Sequence, residues 1–212
     1  MTENDRWCSV MDWQGILAPY TQVVEELKVK LEGMRAQLEH ESRHSPIESI
    51  TGRVKPISSI LEKAERKQVP LNRIEKDIQD IAGIRVVCQF VDDIYMVVDL
   101  LRKRKDLNII EEKDYIFEKK VSGYRSFHQI IEYPVETIHG VKMVIAEIQI
   151  RTLAMNFWAT NEHFLNYKYK GRIPEQIKSR LKRAAEAAFK LDEEMSKIKN
   201  EVLEAKRIFH RK

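Results

Sequence analysis

Apolar residues recur near the start of the chain at Trp13, Leu17, Tyr20, Val24, Leu27, Leu31, Met34 and Leu38, in alternating steps of four and three. That spacing predicts one long amphipathic helix. Pro46 biases its predecessor away from helix and should end it there. T-G-R-V-K-P is expected to open a turn, and Ser58 to Lys67 reads as a basic helix bounded by Pro56 and Pro70. Residues 83–91, G-I-R-V-V-C-Q-F-V, are rich in β-branched types and read as a buried strand, followed by a helix over about 93–105. Further strands are expected over 107–117, 128–133 and 141–150, the last two joined as a hairpin through P-V-E-T-I-H-G. A helix over 153–168 precedes a break at G-R-I-P. From Glu175 onward Ile177, Leu181, Ala184, Ala188, Leu191, Met195, Ile198, Val202, Ala205 and Phe209 resume the alternating steps. Such a heptad suits packing against another long helix, or a helix lying on its own domain.

The pattern gives an α+β fold, a mixed and partly antiparallel β-sheet of about five strands flanked by helices, with long amphipathic helices at both ends. It divides into a flexible lead-in over 1–12, an N-terminal helix over 13–45, a core over 46–170 and a C-terminal helix over 171–212 serving oligomerisation. One strand poses a sharper question. In I-A-E-I-Q-I-R-T, residues 145–152, Ala146, Ile148 and Ile150 share one face, while Glu147, Gln149 and Arg151 share the other. That polar face looks at water or at a polar ligand.

Composition narrows the class. With 212 residues, 43% hydrophobic and 33% charged, the chain buries a proper core. Its two cysteines, Cys8 and Cys88, make neither a disulfide framework nor a zinc site. No stretch reaches the ~20 apolar residues of a membrane helix, and M-T-E-N-D-R-W lacks a signal-peptide core, so the expected location is the cytoplasm. A net charge of +4 is compatible with anionic ligands.

Three clusters carry candidate chemistry. In residues 51–67, Ser59, Lys63 and Arg66 share a helical face, with Arg53 and Lys55 on the approach. Cations beside a helix amino terminus suit an oligophosphate, although Glu62 and Glu65 would equally serve a solvated face. The glycines of a Walker loop are missing. In D-I-A-G-I-R, Asp80 either pairs with Arg85 or joins Glu147 in a two-carboxylate Mg²⁺ site completed by phosphates. In S-G-Y-R-S-F-H, Gly123 permits a tight turn, and Tyr124 beside Arg125 suits stacking on a base.

T-G-R-V-K, D-I-A-G-I-R, S-G-Y-R-S and E-I-Q-I-R-T, followed by F-W-A-T and H-F-L-N-Y-K, occur in this order. Together they resemble the synthetase domain of the RelA/SpoT family, and the compact length resembles its small RelQ-type alarmone synthetases. The resemblance implies a nucleotidyltransferase-like synthetase fold. It also implies transfer of the β,γ-pyrophosphate of ATP to the 3′-hydroxyl of GDP or GTP, with AMP released. On that basis Arg53 and Arg85 flank adenine, and Lys55, Ser59, Lys63 and Arg66 take the ATP phosphates. Asp80 and Glu147 match the Mg²⁺-linked acids, Glu147 lying near the attacking hydroxyl. Tyr124 matches the residue that stacks on guanine, with Lys113, Lys120, His128, Gln149 and Asn156 as acceptor contacts. Glu147, Gln149 and Arg151 would then face a nucleotide cleft.

No H-D dipeptide of the family's hydrolase domain is present, so synthesis without hydrolysis is expected. The resemblance further implies a homotetramer through the terminal helices, with pppGpp as an activating effector. Ser49 stands where an aromatic residue is usual and Glu32 where lysine is common, so the effector response is expected to be weakened. A different function class is single-stranded RNA binding, through Lys168, Lys170, Arg172, Lys178, Arg180, Lys182 and Arg183. An ordinary nucleotidyltransferase releasing pyrophosphate is another alternative.

Overall fold

The computed structural model describes residues 12–42, 45–168 and 173–209. Helix α1 (Trp13–Ser42) leads into strand β1 (Ile47–Val54) and helix α2 (Ile57–Lys67). A 3-10 turn (Leu71–Arg73) and a short helix α3 (Ile74–Asp77) precede β2 (Ala82–Cys88), α4 (Val91–Arg102), β3 (Asn108–Asp114), β4 (Phe127–Thr137) and β5 (Gly140–Thr152). Helices α5 (Leu153–Lys168) and α6 (Glu175–Phe209) complete the described residues. The five strands lie in the order β1-β2-β5-β4-β3. Only β2 and β5 run parallel; the other neighbours are antiparallel. The expected mixed α+β sheet is therefore the observed one.

Helix α1 covers one face. Its Tyr20, Val24, Leu27 and Leu31 are buried with Ile84, Ala146, Ile148 and Ile150 of the sheet. Helix α4 packs on the same core through Ile94, Val97, Val98 and Leu101, and its Tyr95 meets Phe127 edge-on at 6.2 Å. The opposite face carries the polar side chains of the site, with Val87 and Ile130 buried beside them.

T-G-R-V is not a turn but the second half of β1. Gly52 suggested a break, yet its role is close approach: a Cβ there would stand 2.6 Å from Val24 Cγ1 and 2.9 Å from Ile84 Cδ1. Without a side chain, α1 can lie directly over the β1–β2 pair. The β4–β5 hairpin is tighter than P-V-E-T-I-H-G suggested, because the strands continue to Thr137 and resume at Gly140. Pro134 is tolerated inside β4 because the pairing with β3 has already ended at Glu132. The strand expected over 107–117 stops at Asp114, whose Oδ1 accepts the amides of Ile116 and Phe117 and turns the chain.

Among the described residues, no helix is long and apolar enough to cross a membrane. The lead-in over 1–11, including Cys8, and Lys170 and Arg172 of the basic stripe lie outside the described residues. Lys178, Arg180, Lys182 and Arg183 are exposed on α6.

Candidate active site

Strand register assembles the site. One row crosses all five strands as Thr51, Arg85, Gln149, His128 and Lys113, each opposite the next. The neighbouring row sets Arg53 opposite Gly83 and Gly83 opposite Glu147. Residues opposed in this way share a sheet face. A cleft of about 240 Å³ opens there, lined by Arg53, Asp80, Gly83, Arg85, Glu147 and Gln149 among others. A Cβ on Gly83 would meet nothing nearer than the Arg53 carbonyl oxygen at 3.9 Å. The missing side chain therefore leaves the cleft floor open between Arg53 and Glu147.

Around Asp80 the cleft is cationic. Lys55 Nζ and Lys63 Nζ both reach Asp80 Oδ2, at 3.0 and 2.7 Å. Burial raises the carboxyl's pKa, but the hydrogen bonds and charges of Lys63 and Lys55 outweigh it and hold Asp80 below the usual range. Its Oδ1 is buried with no hydrogen-bond partner among the described residues. Helix α2, which carries Lys63, starts after Pro56 without a side-chain cap, so its first-turn amides remain available to an anion. Ser59 is half-buried and Arg66 exposed on the same helix. Arg85 is the counterpart. Burial, then the neighbouring Arg151 and Arg53, pull its pKa down, and its Nε is buried without a hydrogen-bond partner among the described residues. Three crowded guanidinium groups call for an anionic or π-rich ligand.

On the β4 side the side chains close a ring. Glu147 Oε1 contacts His128 Nδ1 at 2.8 Å, and His128 Nε2 contacts the Tyr124 hydroxyl at 2.8 Å. Arg151 Nη2 donates to that hydroxyl at 2.6 Å and to Gln149 Oε1 at 2.7 Å, while Gln149 Nε2 returns to Glu147 Oε2 at 2.6 Å. The ring closes through both nitrogens of His128, Nδ1 facing Glu147 and Nε2 facing the Tyr124 hydroxyl, which also accepts from Arg151. Burial raises the Glu147 pKa, but His128 and Gln149 outweigh it and hold the net value below the ordinary glutamate range. Asp80 acts in the opposite direction on Glu147, which places the two acids within electrostatic reach of each other.

The structure thus brings together Arg53, Lys55, Lys63, Asp80, Arg85, Tyr124, His128, Glu147 and Gln149. Lys120 lies over the Tyr115 and Tyr124 rings, at 4.2 and 4.8 Å from their centroids. Lys113 is opposite His128 but pairs with Glu111 at 2.8 Å. Among the described residues Asn156, in the first turn of α5, has a buried Oδ1 without a hydrogen-bond partner, and no hydrogen bond joins it to the ring. Arg151, expected on the cleft face of β5 but given no individual role, joins the ring through Tyr124 and Gln149. Sequence reasoning missed one member. Tyr115, edge-on to His128 at 5.1 Å, follows the end of β3, where no periodicity marks it.

Residues 52–172 match the model of the region found in RelA / SpoT proteins. The chain is 61% identical over 200 residues to GTP pyrophosphokinase YjbM of Bacillus subtilis (strain 168), covering 94% of each chain. Among solved structures it superposes on small alarmone synthetase 1 from Bacillus subtilis bound to its product pppGpp, with TM-score 0.87 and 62% identity over 90% of this chain and 97% of that one. The same synthetase bound to AMPCPP gives TM-score 0.80 and 57% identity, covering 91% and 98%.

Proposed function

The chain belongs to the RelA/SpoT family, and on that premise we propose that its cleft transfers the β,γ-pyrophosphate of ATP to the 3′-hydroxyl of GDP or GTP, releasing AMP. It is a GTP pyrophosphokinase of the small alarmone synthetase type, a (p)ppGpp synthetase. The observation that carries the mechanism is the pair of acids in contrasting settings. Asp80 sits among lysines with its Oδ1 unpaired among the described residues, and Glu147 sits in a hydrogen-bonded ring.

On the donor side, Arg53 and Arg85 bracket the adenine, and Lys55, Ser59, Lys63 and Arg66 take the phosphates. In the free protein Lys55 and Lys63 neutralise Asp80; incoming phosphates offer these lysines new partners. On the acceptor side Tyr124 stacks on guanine, with Lys113, Lys120, His128, Gln149 and Asn156 around the nucleotide. Glu147, ionised at neutral pH, accepts a hydrogen bond from the 3′-hydroxyl and aims its oxygen at the β-phosphorus. A strong base is not required, because phosphoryl transfer relies mainly on alignment and on neutralising charge. His128 and Gln149 fix the Glu147 carboxylate so that alignment is set before substrate arrives.

Asp80 and Glu147 would hold Mg²⁺. The vacant buried Oδ1 of Asp80 and the hard oxygen donors of both acids fit this ion, which typically takes one or two carboxylates and completes its shell with phosphates and water. When bound, Mg²⁺ supplies charge neutralisation at the phosphate oxygens. Assembly as a homotetramer is supported by the exposed apolar ridge of α6. Activation by pppGpp is expected to be weak, since Glu32 is an exposed acid near Arg35, at 3.9 Å, and Ser49 offers no ring to stack on.

The test is to incubate the protein with Mg²⁺, γ-labelled ATP and GDP and to locate the label. Label in guanosine tetraphosphate with stoichiometric AMP is expected. Released pyrophosphate would instead indicate nucleotidyl transfer. Glu147→Ala and Asp80→Ala should each abolish transfer while unfolding as cooperatively as the parent; near-parent activity in either would remove that residue from the chemistry.

A further inference from the structure

Tyr124 stands in a loop between β3 and β4, and the loop is held from outside the sheet by α6. Glu186 of α6 spans it: Oε1 pairs with Lys119 Nζ at 2.9 Å and Oε2 with Arg125 Nη2 at 3.2 Å. One carboxylate thus grips the chain on both sides of Tyr124. Between these grips, Gly123 has φ +88° and lies so near α6 that a Cβ would stand 2.7 Å from the Ala185 Cβ. The Arg125 guanidinium lies over the Phe189 ring at 3.5 Å. Tyr124 itself packs on the small cluster of Trp158, Ala159 and Ala185, and Trp158 Nε1 donates to the Leu181 carbonyl at 2.9 Å.

Arg125 is a costly way to fasten a loop. It is 6% exposed, and its Nε and Nη1 are buried without hydrogen-bond partners among the described residues. An incompletely paired buried ion is a poor stabiliser, and an apolar side chain of similar length often serves stability as well or better. What the arrangement supplies is direction, because a guanidinium stacked on a ring and paired at one edge has little freedom left.

We propose that Arg125 is a positioning residue for the acceptor nucleotide: with Glu186 and Phe189 of α6 it fixes the 119–125 loop so that Tyr124 meets both the guanine base and the His128–Glu147 pair. This rests on the reading of Tyr124 as the acceptor-side residue. It makes α6 part of the acceptor site, although none of its side chains belongs to the ring around Glu147.

The test uses the full chain and two variants, Arg125→Met, which keeps length and packing, and Glu186→Gln, on a partly exposed side chain. For Arg125→Met the expected result is a melting temperature equal to or above the parent's, with KM for GDP raised about ten-fold or more, KM for ATP unchanged and kcat lowered much less. Glu186→Gln should shift KM for GDP in the same direction by less, and Arg125→Lys should recover part of the loss. Amide exchange should quicken in residues 119–125 of Arg125→Met and stay unchanged in β2. Unchanged KM for GDP in folded Arg125→Met and Glu186→Gln would overturn the proposal, as would unaltered exchange in the loop. If the parent protein transfers no pyrophosphate to GDP or GTP, the functional reading fails, and loop exchange still decides whether Arg125 holds the loop.

Discussion

The two terminal helices carry the same apolar spacing and use it in opposite ways. In α1, Tyr20, Leu27 and Leu31 are each 1% exposed beneath the sheet. In α6, Leu191 is 57% exposed, Met195 44%, Ile198 44% and Val202 49%. Helix α6 is attached to its own domain through Leu181, Ala185 and Phe189, reinforced by polar bonds, while the rest of the stripe stays open. Glu186 reaches Arg125, Lys199 Nζ reaches Asp93 Oδ1 at 2.8 Å, and Asp192 Oδ2 accepts from the Thr152 hydroxyl at 2.6 Å. Periodicity reports that a stripe exists; the identity of what covers it is a separate fact, set by tertiary structure.

The largest expected effect separates the helices by stability. Leu27→Ala or Leu31→Ala should cost about 2 to 5 kcal/mol, since each removes a fully enclosed side chain from a packed core. Urea unfolding measures this directly. A loss below about 1 kcal/mol would mean that the α1 stripe is not the seam on which the sheet closes.

How much was legible in the sequence follows the same division. Elements whose signal is local came through: α5 over 153–168, the start of α6 at Glu175 and the alternation of β5 match the structure. Gly52 was misread because a glycine signals equally a turn and a close approach, and only the position of α1 decides between them. The acids and most cations of the cleft were legible because they fall in ordered motifs. The contacts around Arg125 were not, because its partners Glu186 and Phe189 arrive from a helix about sixty residues later in the chain. Asp192 and Thr152 likewise look like ordinary helix-face and strand-end residues until the fold pairs them.

A second effect concerns the polar attachment of α6. Burial raises the Asp192 carboxyl pKa to about 6, against the opposing hydrogen bond from Thr152 and the charge of Arg125. A carboxyl whose folded value lies above its unfolded value binds its proton more tightly in the folded state. Its contribution to stability is therefore complete below the unfolded value and is lost as pH rises through the folded one. Asp192→Asn keeps an acceptor for Thr152 and removes the ionisation. It should stabilise the fold by about 1 to 3 kcal/mol at about pH 8 and by almost nothing at about pH 4. Equal effects at both pH values would show that the group does not titrate in this window.

The smallest effect on the fold belongs to the exposed ridge, and it sharpens the contrast most. Leu191 and Met195 line an apolar groove of about 730 Å³ with Phe90, Leu153 and Phe157, and Phe157 is 72% exposed. Apolar surface gathered in one groove is the usual mark of a protein partner, and the heptad spacing of α6 fits a second helix in it. Leu191→Ser with Met195→Ser should change the unfolding free energy of the isolated subunit by only about 0.5 kcal/mol, because these side chains are already in water there. The same pair should lower the mass measured by sedimentation, since an assembly buries what the subunit leaves open. A loss of several kcal/mol in the subunit itself would place the ridge in its own core and make the two helices alike. Unchanged stability with unchanged mass would leave the groove without a helix from a second copy.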